Sequence, residues 1–481
     1  MSHQTSRFFF HHFSITMKVY TSSQFFNADR FTPIGLYLGL RYKHRNACLL
    51  ESNDYHDRSQ SASIIGLDPI LEIQLDQQKF KVTFPDDPSF NQLFPIDTKD
   101  IIDQTSSLLD SFQFDQSKQF NGFYGRVGFE FSHYSEKQIN PKSKQLGLPD
   151  LHLFLFRYLI IIDHFKDEGI IIKNDLQHNE LTEEECQKLL SQKAHTDFPF
   201  ELTDAEKSEF SDLEFDNIVN DAIKHCKRGN VFQLVLSNAF SQSFFGDEFN
   251  VYRELRRLNP SPYLFYFDFE SYRLMGSSPE AQLIIKNGKA EIHPIAGTVK
   301  KSGDIEKDKE RLSQLKVDEK ENAEHVMLVD LARNDLSRFC SNVKVETFKE
   351  IQQFSHVFHI VSKVTGNSEG AAMQLFNATF PAGTLSGAPK PKALDLISQY
   401  ELSPREYYGG AIGFIEPNGN INMAIVIRSL LSKENVLHYR AGAGLVIDSI
   451  SANERQEVTN KLNAVRNAIQ LANNNSIITV S

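Results

Sequence analysis

Tryptophan is absent from the 481 residues, so the aromatic content rests on 39 Phe and 15 Tyr. Cysteine is scarce: Cys48, Cys186, Cys226 and Cys340 are scattered, with no CxxC pair. That argues against a zinc site or a disulfide frame and suits a reducing cytoplasm. No window is long and apolar enough to span a bilayer. There is no block of Lys or Arg; 51 basic against 62 acidic side chains give a net charge of −11. Nucleic acid and anionic membrane are therefore disfavoured as main partners. The opening "MSHQTSRFFFHHFSIT" lacks an apolar stretch of h-region length and a small-residue cleavage site, so it does not read as a signal peptide. With Met17 following, residues 1–16 read as a disordered tail or an overlong gene start.

What remains is a chain of 40% apolar residues, enough for one large or two intimate domains. Residues 17–200 carry mostly short strands ("ACLLES", "ASIIGLD", "LEIQL", "KFKVTF", "FYGRVGFEF", "LHLFLFRYLIIID") around one helical stretch, "IIDQTSSLLDSF". A polar, acidic stretch over 174–215 reads as a linker. From 205 to 475 a helix, "DNIVNDAIKHCKRGN", precedes alternating strands, and a last helix runs through "NERQEVTNKLNAVRNAIQLA". Asn287-Gly288 and Asn418-Gly419 mark two hairpins. The pattern predicts an α+β fold of antiparallel sheets with helices packed outside.

The stretch "KENAEHVMLVDLARND" (320–335) poses a charge problem. On a helix Glu321, Glu324, Leu328 and Leu331 share a face, which directs two carboxylates toward the interior. Unpaired like charges there cost several kcal/mol and require a cation. A second pair, Glu454 and Glu457, opens the last helix, with Lys461 one turn on. Two such helices face to face would make an all-oxygen site suited to Mg2+, which retains waters and bridges to an anionic substrate. The glycine-rich stretches "FPAGTLSGAPK" (380–390) and "RAGAGLVIDS" (440–449) are expected as loops whose N–H groups cradle carboxylate oxygens. Arg428 is expected at the end of the strand "NINMAIVIRS", as a carboxylate fork or a structural ion pair. His359 sits in an apolar strand-like run, as a core residue or a catalytic one.

Seven stretches, in order and spacing, give the chain a resemblance to the chorismate-utilising enzymes, and within them to the anthranilate synthase large components. They are "HPIAGT", "DEKENAEHVMLVDLARNDL", "SHVFHIVSKV", "FPAGTLSGAPK", "AIVIRS", "AGAGLVIDS" and "ERQEVTNK". The resemblance implies the chorismate-binding fold, two large, mostly antiparallel sheets packed in a sandwich. It implies Mg2+ held mainly by Glu324 and Glu457, with Glu321 and Glu454 positioning waters, and the ring carboxylate of chorismate on the metal beside Lys461. Tyr408, Arg428, Gly442 and Gly444 match positions that hold the enolpyruvyl carboxylate, and Gly297, Thr298 and Thr384 match the ring site. Glu280 matches the general acid, and His359 the group that takes the C2 proton.

Two positions choose among family members. Relatives that add water carry a lysine base where this chain has Gln233; neutral ammonia already has its lone pair, so a base is dispensable. Many aminodeoxychorismate synthases carry a nucleophilic lysine where this chain has Ala296. Both point to anthranilate and pyruvate as products, with aminodeoxychorismate synthesis as the rival reading. A catalytically silent aromatic-ligand sensor is a third, but it predicts lost metal carboxylates, and all four glutamates are present. None of the cysteines has the flanking glycines of a nucleophile elbow, so ammonia is expected from a separate glutamine amidotransferase subunit. "LLES" (49–52) and "NPSPYLFYF" (259–267) resemble the family's tryptophan feedback site, with Ser52, Pro262 and Tyr263 its residues here.

Overall fold

Two strands carry the architecture because both their faces are apolar. Ala62–Asp76 and Leu151–Asp163 are buried along almost their whole length, as continuous β-branched and aromatic runs demand. In the computed structural model, which describes residues 16–52, 61–76, 78–95, 101–135, 142–192, 198–353, 357–370 and 372–475, they pair antiparallel from Ala62 opposite Asp163 to Leu75 opposite Leu151. Residues 1–15 of the expected tail lie outside the described residues. The register slips between Pro69 and Leu71, next to Asp68 at φ +51°. Proline gives the ladder no donor, and the bulge bends the pair so that its ends enter different sheets.

From one end the first sheet runs through Cys48–Glu51, Tyr263–Asp268, Arg273–Ser278, Ser429–Lys433, Val436–Leu445 and Gln233–Gly246. From the other end the second runs through Phe123–Val127, Ala411–Ile415, Ile421–Ile425, Ala281–Lys286, Lys289–Ile292 and Val357–Ser368. Ile295–Lys300 and Cys340–Gln353 complete it. These ladders are antiparallel; Met17–Asn27 against Phe112–Phe114 is parallel. Between the sheets lies an aromatic core including Tyr124, Phe154, Phe156, Phe265, Phe267 and Phe414. Outside the first sheet pack the helices Asp212–Lys227, Phe249–Leu258 and Ser451–Asn475, and outside the second Ile101–Asp110, Glu319–Ser337 and Ala372–Thr379. The expected α+β sandwich is the fold. Its sheets are shared by both parts of the chain: Cys48–Glu51 pairs with Tyr263–Asp268, and Phe123–Val127 with Ala411–Ile415.

The chain passes between the sheets at one seam. Arg273–Ser278 leads through Pro279-Glu280 into Ala281–Lys286, and Ile421–Ile425 leads through 426–428 into Ser429–Lys433. The crossings run side by side, with Ile425 N donating to Glu280 O at 3.0 Å and Ser277 N to Arg428 O at 3.1 Å. Arg428 therefore does not end the strand, contrary to the expectation. The strand stops at Ile425, and Arg428 takes φ +48° in the crossing, a conformation an L-residue adopts only under local compulsion. "RAGAGL" is likewise no loop but the end of the strand Val436–Leu445. A Cβ on Gly442 would stand 2.7 Å from Leu236 O, so the glycine serves close strand approach rather than a turn. "FPAGTLSGAPK" is mostly irregular, with a 3₁₀ turn at Gly383–Leu385 and a two-residue strand, Gly387–Ala388, paired with Gln233 and Leu234.

Candidate active site

The helix Glu319–Ser337 starts at Asp318, whose side chain accepts from Glu321 N at 2.9 Å. Its buried stripe is His325, Leu328, Val329, Ala332 and Leu336, so the core-facing side is rotated from the one expected. His325, wholly buried, fills the interior and meets Ser362 Oγ at 2.6 Å. Glu321, Glu324 and Leu331 are half-buried at the margin, over a cleft. That margin is where a carboxylate can remain partly solvated, which lessens the cost of its charge.

Across the cleft the helix Ser451–Asn475 presents Glu454, buried, and Glu457, which pairs with Lys461 at 2.7 Å. Lys461 Nζ also donates to Gly442 O at 2.9 Å. Two residues along the same strand, about 7 Å on, a Cβ on Gly444 would lie 3.8 Å from Glu324 Oε1 and 2.7 Å from Gln233 Nε2. Gln233 Nε2 donates to Glu324 Oε1 at 2.8 Å. The glycine strand thus lies between the two acidic helices, with a carboxylate group on either side. Among the described residues no three acidic, His or Cys side chains stand close enough together to enclose an ion.

At the seam, Glu280 accepts from Thr384 Oγ1 at 3.1 Å. Burial pushes its carboxyl up to about 7, against the opposing pull of the Thr384 bond and of Lys461 and Arg428. Arg428 is itself held below the usual guanidinium range by burial, with Glu280 working the other way. His359 is buried, its Nδ1 3.1 Å from Gly297 O. Burial holds this imidazole down to about 4, so it is neutral near pH 7. The bond to a carbonyl fixes Nδ1 as the protonated nitrogen and leaves the lone pair on Nε2. Gly297 itself requires glycine: φ is +63°, and a Cβ there would stand 2.8 Å from Leu315 Cδ1. Thr298 is placed by backbone register opposite His359. Leu328, Leu331, Gly383 and Thr384 line the same recess as Glu280. Tyr408 is buried near Lys461, and burial holds its phenol above the ordinary range.

The expected regulatory residues meet elsewhere, at the first sheet. Glu51 pairs with Leu264, which brings Ser52 to the start of the strand bearing Tyr263 and beside Pro262. Two groups there escaped the sequence reading. Glu51 is buried in a two-pronged contact with Arg256, 2.7 Å at its nearest, and accepts from Tyr252 Oη at 2.9 Å. Near the cleft, Glu401 and Arg405 form a buried pair at 2.6 Å. Their i, i+4 spacing in "ELSPR" was the only signal, and it is common to surface helices.

An acid poised near neutrality, a neutral imidazole and two acidic helices around a glycine strand describe an enzyme of oxyanionic substrates. The chain belongs to the chorismate binding enzyme family, whose pattern matches residues 45–467, and is an enzyme of that chorismate-utilising class. It is 35% identical over 450 residues to anthranilate synthase component 1 of Lactococcus lactis subsp. lactis (strain IL1403), covering 90% of this chain and 96% of that protein. With the same component of Aquifex aeolicus (strain VF5) it shares 34% over 471 residues, covering 92% and 93%. The crystal structure of anthranilate synthase component I from Streptococcus pneumoniae TIGR4 superposes with a TM-score of 0.74 at 32% identity, covering 92% of this chain and 98% of that one. The menaquinone-specific isochorismate synthase of Escherichia coli, at 18% identity and the same TM-score of 0.74, shares the fold.

Proposed function

We propose that this chain is the synthase subunit that converts chorismate and ammonia to anthranilate and pyruvate, the first committed step toward tryptophan. The observation that carries the reading is Glu280, a carboxyl with a pKa pushed to about 7 at the sheet seam, in a cleft that has Gln233 where a water-activating base would stand. An acid of that strength donates to a leaving hydroxyl near neutral pH. Ammonia adds at ring C2, losing a proton to solvent, while the C4 hydroxyl takes the proton of Glu280 and leaves as water. His359 then removes the C2 proton; the C3–O bond breaks, the enolate of pyruvate departs and takes a proton from solvent, and the ring becomes aromatic. Tyr408, Arg428 and the N–H groups of Gly442 and Gly444 hold the enolpyruvyl carboxylate, while Gly297, Thr298 and Thr384 line the ring.

The donor set of Glu321, Glu324, Glu454 and Glu457 is all oxygen, the chemistry that Mg2+ takes over a softer metal, and holding one ion would require these carboxylates to draw together from where they stand here. In this structure Glu324 and Glu457 are engaged by Gln233 and Lys461, partners that a cation would share or replace. Bound there, Mg2+ supplies positive charge to the ring carboxylate as charge develops in the conjugated system. The names of the relatives, "component 1", support a second component, and a glutamine amidotransferase passing ammonia across an interface is the partner this chain requires. Feedback by tryptophan at Ser52, Pro262 and Tyr263 belongs to the same reading.

The test is incubation with chorismate, ammonia and Mg2+ while anthranilate fluorescence and pyruvate are followed. Both should appear, and chelation of the metal should abolish both. A folded chain that binds chorismate but releases no pyruvate refutes the reading, and 4-amino-4-deoxychorismate as product would put the rival in its place.

A further inference from the structure

Behind the substrate cleft lies a buried ion pair that joins three segments bearing cleft residues: the turn after Thr384, the strand of Gln233 and the ring of Tyr408. Arg405 is 2% exposed. Its Nε and Nη2 bond Glu401 at 2.9 and 2.6 Å, its Nη1 donates to Leu385 O at 2.6 Å, and its Nη2 donates to Val235 O at 2.9 Å. Leu385 follows Thr384, and Val235 lies two residues beyond Gln233. The guanidinium carbon also sits 4.6 Å from the Phe129 ring centre and 5.7 Å from that of Tyr408. Glu401 in turn accepts from Ser237 N and Oγ, each at 2.8 Å, and from Arg440 at 2.9 Å. Ser237 stands opposite Gly442 in the sheet.

A buried ion pair is seldom retained for stability, since apolar residues of similar volume pack as well or better. This one does what an apolar residue cannot. The rigid planar fork of Arg405 satisfies two carbonyls from different segments while remaining locked to Glu401. We propose that Arg405, locked by Glu401, is the positioning residue of the active site, setting the Thr384 turn and the Tyr408 ring against the strand of Gln233 and, through Ser237, the strand of Gly442. This rests on the functional reading above. Displacing catalytic groups by about 1 Å costs on the order of 100-fold in rate.

Arg405→Lys keeps the charge and removes the fork. In the ammonia-dependent assay, per folded molecule and below the unfolding transition, kcat should fall on the order of 100-fold, and KM for chorismate should rise as well, because Tyr408 and the Gly442 strand hold the substrate. The alkaline limb of the pH profile should move to higher pH. A Thr384 turn released from Arg405 no longer lowers the pKa of Glu280, while Lys461 and Arg428 still face it. A merely structural role would lower the melting temperature and leave that limb in place. An unmoved limb overturns the proposal whatever happens to kcat. Should the lysine variant not fold, Ser237→Ala decides, since it removes one bond to Glu401 and a 3.4 Å contact from Arg440 and leaves the Arg405–Glu401 pair intact: a several-fold fall in kcat supports the proposal and an unchanged kcat overturns it. Failure of the unaltered chain to make anthranilate is seen in the control and counts against the functional reading instead.

Discussion

At the scale of single residues, burial moves Glu280 and His359 each toward the neutral form proposed for it: the carboxyl up to about 7, the imidazole down to about 4. Protonated Glu280 and neutral His359 coexist only between those values. The free-enzyme profile of kcat/KM should accordingly rise through about pH 4 and fall through about pH 7. Glu280→Gln should lower kcat by about 10²–10⁴-fold, the usual worth of general acid catalysis. Stability should move the other way. A carboxyl whose folded pKa exceeds its unfolded value binds its proton more tightly when folded, so its contribution is lost as pH rises from the unfolded value and levels off above about 7. Glu280→Gln should therefore match the wild type near pH 4 and exceed it by about 2–3 kcal/mol above pH 8, measured by urea unfolding at both pH values. Both residues were legible in the sequence as motif positions. Arg405 was not, because its worth lies in two carbonyls contributed by segments roughly 20 and 170 residues away in the chain.

Local signals are sufficient where an element is determined locally. Asn287-Gly288 is the two-residue turn expected, both residues at positive φ, whereas the helix expected from "DNIV" begins four residues earlier, at Asp212, where Ser211 and Glu214 make a capping box that the sequence reading passed over. The strand through "RAGAGL" was misread because nothing local separates a glycine that turns from a glycine that admits a neighbour. Its two glycines differ in what they admit. A Cβ on Gly442 would meet backbone, Leu236 O at 2.7 Å, whereas one on Gly444 would meet the far end of a side chain, Gln233 Nε2 at 2.7 Å. Backbone cannot yield cheaply, and a side chain can. Gly442→Ala should lower the melting temperature by several degrees, about 1–3 kcal/mol by the usual cost of overpacking. Gly444→Ala should melt near the wild type yet lose most of its turnover, because Gln233 is driven off Glu324. Scanning calorimetry and the ammonia assay on the same two proteins separate the outcomes; equal melting temperatures would reject the distinction.

For the whole molecule, strand types were foreseeable and strand partners were not. Register between Cys48–Glu51 and Tyr263–Asp268 spans more than 200 residues, and no periodicity encodes it. That pairing puts Ser52 beside Pro262 and Tyr263, at the ends of two interior strands of the sheet that continues, through Arg273–Ser278, into the Glu280 crossing. An amino acid bound there would contact strands that lead directly to Glu280, the acid proposed above. The absence of Trp from the chain allows this to be read optically. Added tryptophan should show a saturable change in indole emission over a tyrosine background, and anthranilate formation should decline over the same concentration range. Ser52→Phe, which adds bulk next to Tyr263, should remove both effects and leave the uninhibited rate unchanged. Saturable binding without loss of turnover would make the site a structural ligand pocket and end the feedback reading; inhibition that survives Ser52→Phe would move the site elsewhere. If both effects vanish together, a ligand at the first sheet governs chemistry at the seam, and the strand Arg273–Ser278 is the physical connection between them.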